Sequence, residues 1–358
     1  PMTFELIPFL KEMLSVPGLS GYEKPVRDVI ARAWEPLSDE LSLSNLGSLL
    51  ALKRGEGPDP RPTAMIAVHM DAIGLMVTAI EDGFLRFTQV GGVDPRILPG
   101  QPVIVHATKG KEAQDLPALV VMPPAQLLPK EAGTGPLAQT YLLVDTGLRP
   151  KDVEKLVRVG DIISFASQPE ELAGDTIAGH TLDNRASVAA ATVALELLAK
   201  RRHLWDVVVD ATVQEEVGCI GGFLDPIKVK PDLAIVVDVN FATGPGGSGS
   251  MNFEMGGGLP LNWGANVHPA LYKAMEKTAE TYEIPIYKDF SPSMSGTDAY
   301  GIQVAEEGIP VVEISIPLRY MHTPVEQVAI KDIQRAGRLM AEFITDLPLD
   351  FMNTVKWE

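Results

Sequence analysis

The chain has 358 residues, a mass of 38.6 kDa and 46% hydrophobic residues, which is enough for a sizeable core and favours two domains. Its 47 acidic residues outnumber the 30 basic ones and leave a formal net charge of −17. This charge repels nucleic-acid phosphates and anionic membranes, so we expect neither as a partner. Cys219 is the single cysteine, which excludes an intrachain disulfide and a thiolate metal cluster within one chain.

The first seventy residues predict helices followed by strands. Residues 4–14 form a short amphipathic helix with neither a basic leader nor a long apolar stretch, so we expect no secretion or membrane insertion and a cytoplasmic protein. A turn at Ser15–Gly21 precedes a helix over Glu23–Trp34, where apolar residues recur at helical spacing. Leu49–Lys53 and Ala64–His69 are predicted strands.

From Ile73 to Phe165 the pattern changes to short apolar runs separated by glycine and proline. The runs GLMVTAI and FLRF flank an Asp-Gly turn, which is typical of a hairpin, and only Pro150–Leu156 suggests a helix. We therefore predict an inserted, small all-β domain at residues 71–165. It interrupts an α/β domain made of residues 1–70 and 166–358.

The α/β pattern resumes with an alanine-rich buried helix over Asn184–Lys200, and Asp183 precedes it at the usual position of an N-cap. Two apolar runs, starting at Val207 and at Leu233, predict strands buried on both faces. Thr243–Gly258 is rich in glycine but lacks the ending of a phosphate loop, so we expect a flexible loop. The remaining predicted elements are a helix over Pro269–Tyr282, a strand over Val311–Ile316 and a helix over Val325–Phe343.

Two adjacent carboxylates, Glu215 and Glu216, follow the strand that starts at Val207. Neighbouring side chains of a strand point to opposite faces, so both glutamates serve one site only if the chain turns there. Gly218 permits such a turn. The ordinary interpretation is two solvated loop residues. Asp238, near the end of the next buried strand, is costly to bury unless it is paired, hydrogen-bonded or bound to a metal.

The six histidines fall into two groups. His106, His203 and His268 have no acidic motif around them and are interpreted as structural or solvated, and a structural role is favoured for His180. His69 and His322 instead lie where predicted strands end.

The ends of parallel strands converge at one edge of a sheet. The residues expected at that edge are two histidines and three acids, namely His69, Asp183, Glu216, Asp238 and His322. Such a set suits two divalent ions, for example zinc or cobalt, with one carboxylate bridging them. Asp71 is placed to accept the second ring N–H of His69 and to fix its tautomer.

Several motifs, in order, resemble the M42 family of dinuclear metal aminopeptidases, which contains glutamyl aminopeptidases and the tetrahedral TET peptidases. They are HMDAIGLMVT, GGVDPRILPGQPV, LDNR, QEEVG, IVVDV, GTDAYGIQ and ISIPLRYMHTPVE, and they run along nearly the whole chain. The resemblance implies a mixed-sheet α/β/α catalytic domain of the zinc-peptidase type, with a barrel-like insertion.

The resemblance also implies roles for individual residues. His69, Asp183 and Asp238 hold one metal, and Asp183, Glu216 and His322 hold the other, so that Asp183 bridges the two ions. Glu215 is the general base, and the peptide bond between Asp183 and Asn184 is cis. Thr297 and Asp298 of the GTDA motif are candidates for shaping the substrate pocket.

Further expectations concern cofactors and assembly. Zinc and cobalt, and also manganese, accept this ligand set, with two ions per subunit. By resemblance, the inserted domain pairs subunits, and the dimers build a hollow dodecamer that admits short or unfolded peptides. The chain departs from the common family pattern at Ala72, where Glu is usual, and at Ser187, where Gly is common. Neither is a ligand position.

The predicted mechanism is attack of a metal-activated water on the scissile carbonyl group. Glu215 takes the proton of this water and passes it to the departing amine. One alternative is a glycosidase, because some members of the family carry an endoglucanase label. Glycoside hydrolysis needs two carboxyls about 5–10 Å apart but no histidine pair. The aromatic content of 6% also offers no obvious platform for a sugar. A second alternative, a non-catalytic metal-binding protein, leaves Glu215 without a role.

Overall fold

A mixed sheet of 11 strands and a closed antiparallel barrel of six strands organise the computed structural model. It describes residues 4–129, 138–247, 249 and 251–357. The strands of the large sheet are β1 (Glu40–Leu43), β2 (Leu49–Lys53), β3 (Thr63–His69), β10 (Glu170–Leu172), β11 (Thr176–Gly179), β12 (Asp206–Thr212), β13 (Leu233–Phe241), β14 (Leu259–Gly264), β15 (Ile286–Ser291), β16 (Val311–Arg319) and β17 (Glu326–Ala329). The barrel strands are β4 (Gly74–Glu81), β5 (Phe84–Val90), β6 (Pro102–Ala107), β7 (Gln114–Val121), β8 (Leu143–Asp145) and β9 (Ile162–Phe165).

The helices of the described residues are α1 (Leu6–Leu14), α2 (Lys24–Trp34), α3 (Pro150–Leu156), α4 (Leu182–Leu198), α5 (Ile220–Val229), α6 (Pro269–Thr281), α7 (Asp298–Gln303) and α8 (Ile330–Asp346). None of them combines the length and the apolar character that spanning a bilayer requires.

The centre of the large sheet consists of four parallel strands in the order β12-β3-β13-β16. These strands read as continuous apolar runs because helices cover both of their faces. The register pairs Thr212 with His69 and Asp238 with Ser315. The carboxyl ends of the four strands therefore lie at the same edge of the sheet.

Alternate residues of the central strands face two different cores, as the period of a strand requires. In β3, Ile66 packs in the core beneath α1, α2, α4, α6 and α8, whereas Met65 packs in the core beneath α7. Close packing of α4 on α8 depends on Gly337, since a Cβ there would lie 2.5 Å from the main-chain oxygen of Ala190. The sheet is thus a layer between two layers of helices.

The barrel has its own apolar core. Val103 and Val105 of β6 are buried, whereas the intervening Ile104 is partly exposed, which is the alternation of a strand with one face inward. All six strands lie between Gly74 and Phe165. The fold class, an α/β/α sheet domain with an inserted barrel-like unit, is confirmed. The exact division at residues 71–165 stays a prediction.

One predicted element begins too early. The helix expected over Val325–Phe343 starts at Ile330, and Glu326–Ala329 is instead strand β17, which pairs with β11 and β16. Partners remote in sequence decide this conformation, so local periodicity does not reveal it.

Candidate metal centre

The residues of the predicted site lie at or just beyond the ends of the central strands, or at the start of α4. His69 is the last residue of β3, and Asp238 lies near the end of β13. Glu215 and Glu216 follow β12, Asp183 lies in the first turn of α4, and His322 lies between β16 and β17.

The first group of possible ligands comprises His69, Asp183 and Asp238, whose ligand atoms all lie within 4.8 Å of one another. Nε2 of His69 is 3.3 Å from Oδ1 of Asp183 and 3.7 Å from Oδ1 of Asp238. All three side chains are buried. Nitrogen and oxygen donors in this arrangement suit a divalent ion such as zinc.

The second group comprises Asp183, Glu216 and His322, again within 4.8 Å. Nε2 of His322 is 3.4 Å from Oδ2 of Asp183 and 3.4 Å from Oε2 of Glu216. Asp183 therefore presents one carboxylate oxygen to each histidine. A carboxylate so placed is suited to bridging two ions.

The electrostatics of the cluster fit a cationic occupant. Burial and the neighbouring Asp183 raise the pKa of Glu216 and of Asp238 well above the usual range of a carboxyl group. Burial opposes protonation of His69, yet the carboxylates of Asp238 and Glu215 raise its pKa well above the usual value. Divalent ions would relieve this repulsion between buried carboxylates, so the donor set fits them.

Asp183 is not the N-cap of α4, contrary to the ordinary assignment. The N-cap is Thr181, and Asp183 has φ −79° and ψ 103°, which is not helical. The predicted cis peptide bond between Asp183 and Asn184 is present. The Asp183 carboxylate faces His69 through Oδ1 and His322 through Oδ2, and it does not cap the helix.

Glu326 is a residue of this site that the sequence analysis missed. Its Oε2 accepts a hydrogen bond from the main-chain N–H of Asp183 at 3.0 Å, and its Oε1 accepts one from that of His322 at 2.9 Å. Glu326 is 1% exposed, and burial raises its pKa well above the usual range. The available signal was a glutamate four residues after His322, but the helix predicted over Val325–Phe343 included it.

Asp71 holds the turn that carries the two glutamates. Its carboxylate accepts hydrogen bonds from the main-chain N–H of Glu215 and Glu216, and Oγ of Ser20 donates to it at 2.6 Å. Nδ1 of His69 lies 3.2 Å from the main-chain oxygen of Asp71 and 3.5 Å from its Oδ1. A proton on Nδ1 would point at these oxygens and leave Nε2 free as a ligand.

The chain turns after β12, as two adjacent glutamates in one site require. Gln214, Gly218 and Cys219 have φ of 58°, 126° and 55°, positive values that turn the chain between β12 and α5. Glu215 is 8% exposed, and its Oε2 lies 3.8 Å from Nε2 of His69. Burial raises the pKa of Glu215, and the thiol of Cys219 donates to its Oε1 at 3.3 Å.

The cluster opens into a cavity of about 440 Å³. His69, Asp183, Glu216, Asp238, His322, Glu215 and Thr297 all line it. Asp298 does not: it is 2% exposed, accepts a hydrogen bond from Oγ1 of Thr212 at 2.5 Å and lies outside the lining. Burial and the nearby Glu215 raise the pKa of Asp298 to about 7.

The other four histidines lie outside both ligand groups. His106 contacts Asp115 and Ser164, within the barrel, and His203 contacts the main-chain oxygen of Trp205. His268 accepts a hydrogen bond at the start of α6, and His180 packs edge-on against Phe165. These contacts are those of structural residues.

Comparison with known proteins agrees with this geometry. The profile of the M42 glutamyl aminopeptidase family matches residues 47–339. A lysyl aminopeptidase from Pyrococcus furiosus is 33% identical over 347 residues, which cover 96% of this chain and 98% of that protein. The structure of aminopeptidase APDkam598 from Desulfurococcus kamchatkensis superposes with a TM-score of 0.90 at 31% identity, covering 99% of this chain and 98% of the other. The Pyrococcus horikoshii TET1 peptidase, which can assemble into a tetrahedron or a large octahedral shell, has a TM-score of 0.82 at 26% identity and covers 96% of this chain and 100% of its own.

The fold and these likenesses define a peptidase, and therefore a hydrolase. More specifically, the chain belongs to the M42 glutamyl aminopeptidase family. Membership of this family implies divalent metal ions, for which the two ligand groups are the candidates in this chain.

Proposed function

We propose that this protein is a dinuclear metal-dependent aminopeptidase that removes N-terminal residues from short peptides. The observation that carries the proposal is the position of Asp183, with one carboxylate oxygen 3.3 Å from His69 and the other 3.4 Å from His322. His69 and Asp238 complete the first site, and Glu216 and His322 complete the second. Zinc or cobalt fits these donors best, and manganese is also compatible.

Held by these residues, two such ions would activate a water molecule and would polarise the carbonyl group of the scissile bond. Glu215 takes the proton of the attacking water and passes it to the departing amine. Three features support this role: Glu215 lies in the cavity lining, it belongs to neither ligand group, and burial raises its pKa. The carboxylate of Asp71 holds Glu215 in place by accepting a hydrogen bond from the main-chain N–H of Glu215.

Removal of N-terminal residues fits the proposed metal centre. Two ions held by Asp183, Glu216, Asp238 and the two histidines would also offer a binding position to a neutral α-amino group, which only the N-terminal residue of a substrate carries. The identity of the removed residue does not follow from family membership, because the family description names glutamyl and the Pyrococcus furiosus relative lysyl substrates.

We also propose that residues 71–165 form a domain that pairs subunits and that the dimers assemble into a dodecamer. The tetrahedral assembly of the Pyrococcus horikoshii TET1 peptidase supports this proposal. Light scattering at assay concentration should report a large assembly. A strict monomer would contradict it.

The experiment that tests the function compares unblocked peptides, N-acetylated peptides and cellulose, with and without a chelator. The chelated protein should lose hydrolysis of unblocked peptides, and Zn²⁺ or Co²⁺ should restore it. N-acetylated peptides should remain intact throughout. Cellulose hydrolysis would favour the glycosidase alternative, and metal binding without any turnover would favour a non-catalytic metal-binding protein.

A further inference from the structure

Apart from the ligand candidates and Glu215, the residues that line the cavity are uncharged, and we call them its uncharged walls. Besides three glycines, these walls consist of Cys219, Val239, Thr297 and Met321. Among the described residues that line the cavity there is no lysine or arginine. Every carboxylate in the lining is either a proposed ligand or Glu215.

The polar atoms of these walls are already engaged. Oγ1 of Thr297 accepts from the main-chain N–H of Ala299 at 3.2 Å, capping α7, and lies 2.9 Å from Oγ of Ser295. The thiol of Cys219 donates to Glu215 at 3.3 Å. Val239 and Met321 offer only apolar or thioether surface. A substrate side chain that enters here therefore meets no free charged partner among the described residues.

A charged side chain placed against such walls would lose water without gaining an ion pair, which is costly. An aliphatic or thioether side chain would instead gain the free energy of removing apolar surface from water. Asp298 does not change this balance, because it is 2% exposed and lies outside the lining.

We infer that the enzyme prefers a neutral aliphatic or thioether N-terminal residue, such as leucine or methionine, and disfavours glutamyl and lysyl substrates. The inference rests on the proposed function, since the walls matter only if the N-terminal residue occupies this cavity. It identifies Cys219, Val239, Thr297 and Met321 as the residues that determine specificity.

The decisive measurement is kcat/KM of the metal-loaded enzyme for leucyl, methionyl, glutamyl and lysyl nitroanilides. We expect leucyl and methionyl substrates to exceed the charged ones by about 100-fold or more, since an unpaired buried charge is strongly rejected. A glutamyl or lysyl substrate that is hydrolysed as well as the leucyl one overturns the inference and leaves the proposed function standing. Failure to hydrolyse any of the four, with metal restored, overturns the proposed function itself.

A reciprocal charge change at Met321 tests the walls directly. Met321→Arg should raise the glutamyl-to-leucyl ratio of kcat/KM about tenfold, and Met321→Glu should raise the lysyl-to-leucyl ratio by a similar factor, about the effect of one ion pair of moderate strength. Met122→Arg is the matched control, because Met122 is 47% exposed, follows β7 of the barrel and lies outside the lining. Its ratios should equal those of the wild type.

Binding provides a readout apart from turnover. Calorimetric titration with free L-leucine, L-glutamate and L-lysine should show the same order of affinity in the wild type and the same reversals in the two Met321 variants. Unchanged ratios and affinities in folded, metal-loaded Met321 variants would overturn the assignment of these walls to the N-terminal side chain. If a variant fails to fold or to bind metal, the wild-type substrate panel still decides the inference.

Discussion

The carboxylate of Asp71 accepts a hydrogen bond from the main-chain N–H of Glu215 through Oδ1, at 3.0 Å. Its other oxygen accepts from the N–H of Glu216 at 3.2 Å. Because Asp71 follows β3 and the glutamates follow β12, one side chain ties together the ends of two neighbouring strands. The two glutamates thus face one cavity because Asp71 holds the turn that carries them.

Replacement of Asp71 by asparagine should therefore misplace both glutamates. An amide keeps one acceptor oxygen but turns an NH₂ group towards the second N–H. We expect activity and metal affinity to fall by about 10–100-fold, the usual cost of losing a residue that orients metal ligands. Ser20→Ala is the control, since it removes only the 2.6 Å hydrogen bond that Ser20 donates to Asp71. Full activity in Asp71→Asn would show that the turn keeps its conformation without both hydrogen bonds to the Asp71 carboxylate.

The proposed roles of the two glutamates predict different failures. Glu215→Gln keeps the shape of the side chain but cannot take a proton, so metal should stay bound while kcat falls by at least about 10²–10⁴-fold. Glu216→Gln removes an anionic ligand and should lower metal occupancy, that of one ion more than the other. Metal analysis and kinetics on both variants separate these outcomes. Near-normal turnover in Glu215→Gln with two metals bound would disprove its role as the base.

Glu326 should matter for metal binding although it belongs to neither ligand group. Both of its oxygens accept main-chain N–H groups, at 3.0 and 2.9 Å, and the amide of Glu326→Gln can accept only one of them. A buried N–H without a partner costs about 1–3 kcal/mol, so the variant should unfold at lower urea concentration and hold metal less tightly.

The neighbouring Gln327 offers a matched control on the same strand. Its side chain donates to Thr176 at 2.9 Å and leaves the site untouched, so Gln327→Ala should retain metal. Equal metal content in Glu326→Gln and the wild type would contradict the positioning role.

Glu313 predicts a pH dependence of stability. It is a buried residue of β16, and burial raises its pKa from 4.5 to about 7, although Oγ of Ser295 donates to its carboxyl group at 3.1 Å. Between these two values the folded state keeps a proton that the unfolded state has lost, so stability falls as pH rises from 4.5 towards 7. The full effect is on the order of 3 kcal/mol and is complete above the folded pKa.

Glu313→Gln should remove this dependence, because glutamine keeps an acceptor for Ser295 but has no proton to lose. Urea unfolding of both proteins at pH 5 and pH 8 measures it. The wild type should lose more stability than the variant between the two pH values. Parallel losses would show that Glu313 ionises freely in the folded protein.

The centre of the fold and the composition of the site were predictable from the amino-acid sequence. The four central strands are buried on both faces, so their apolar runs stand out in the sequence without knowledge of any partner. Because parallel strands end at one edge, residues placed at those ends, such as His69 and Asp238, were predictable as neighbours. The order of the motifs indicated the M42 family, which the comparisons confirm.

The parts whose conformation depends on partners remote in sequence were not predictable in this way. Strand β17 exists because β11 and β16 pair with it, and this pairing turns Glu326 into the site. Asp183 is not an N-cap, and its carboxylate instead faces two histidines that are distant in sequence, His69 of β3 and His322 of the loop after β16. The free energy that selects these side-chain positions comes from contacts with residues far along the chain. The local sequence therefore carries no periodic signal of them.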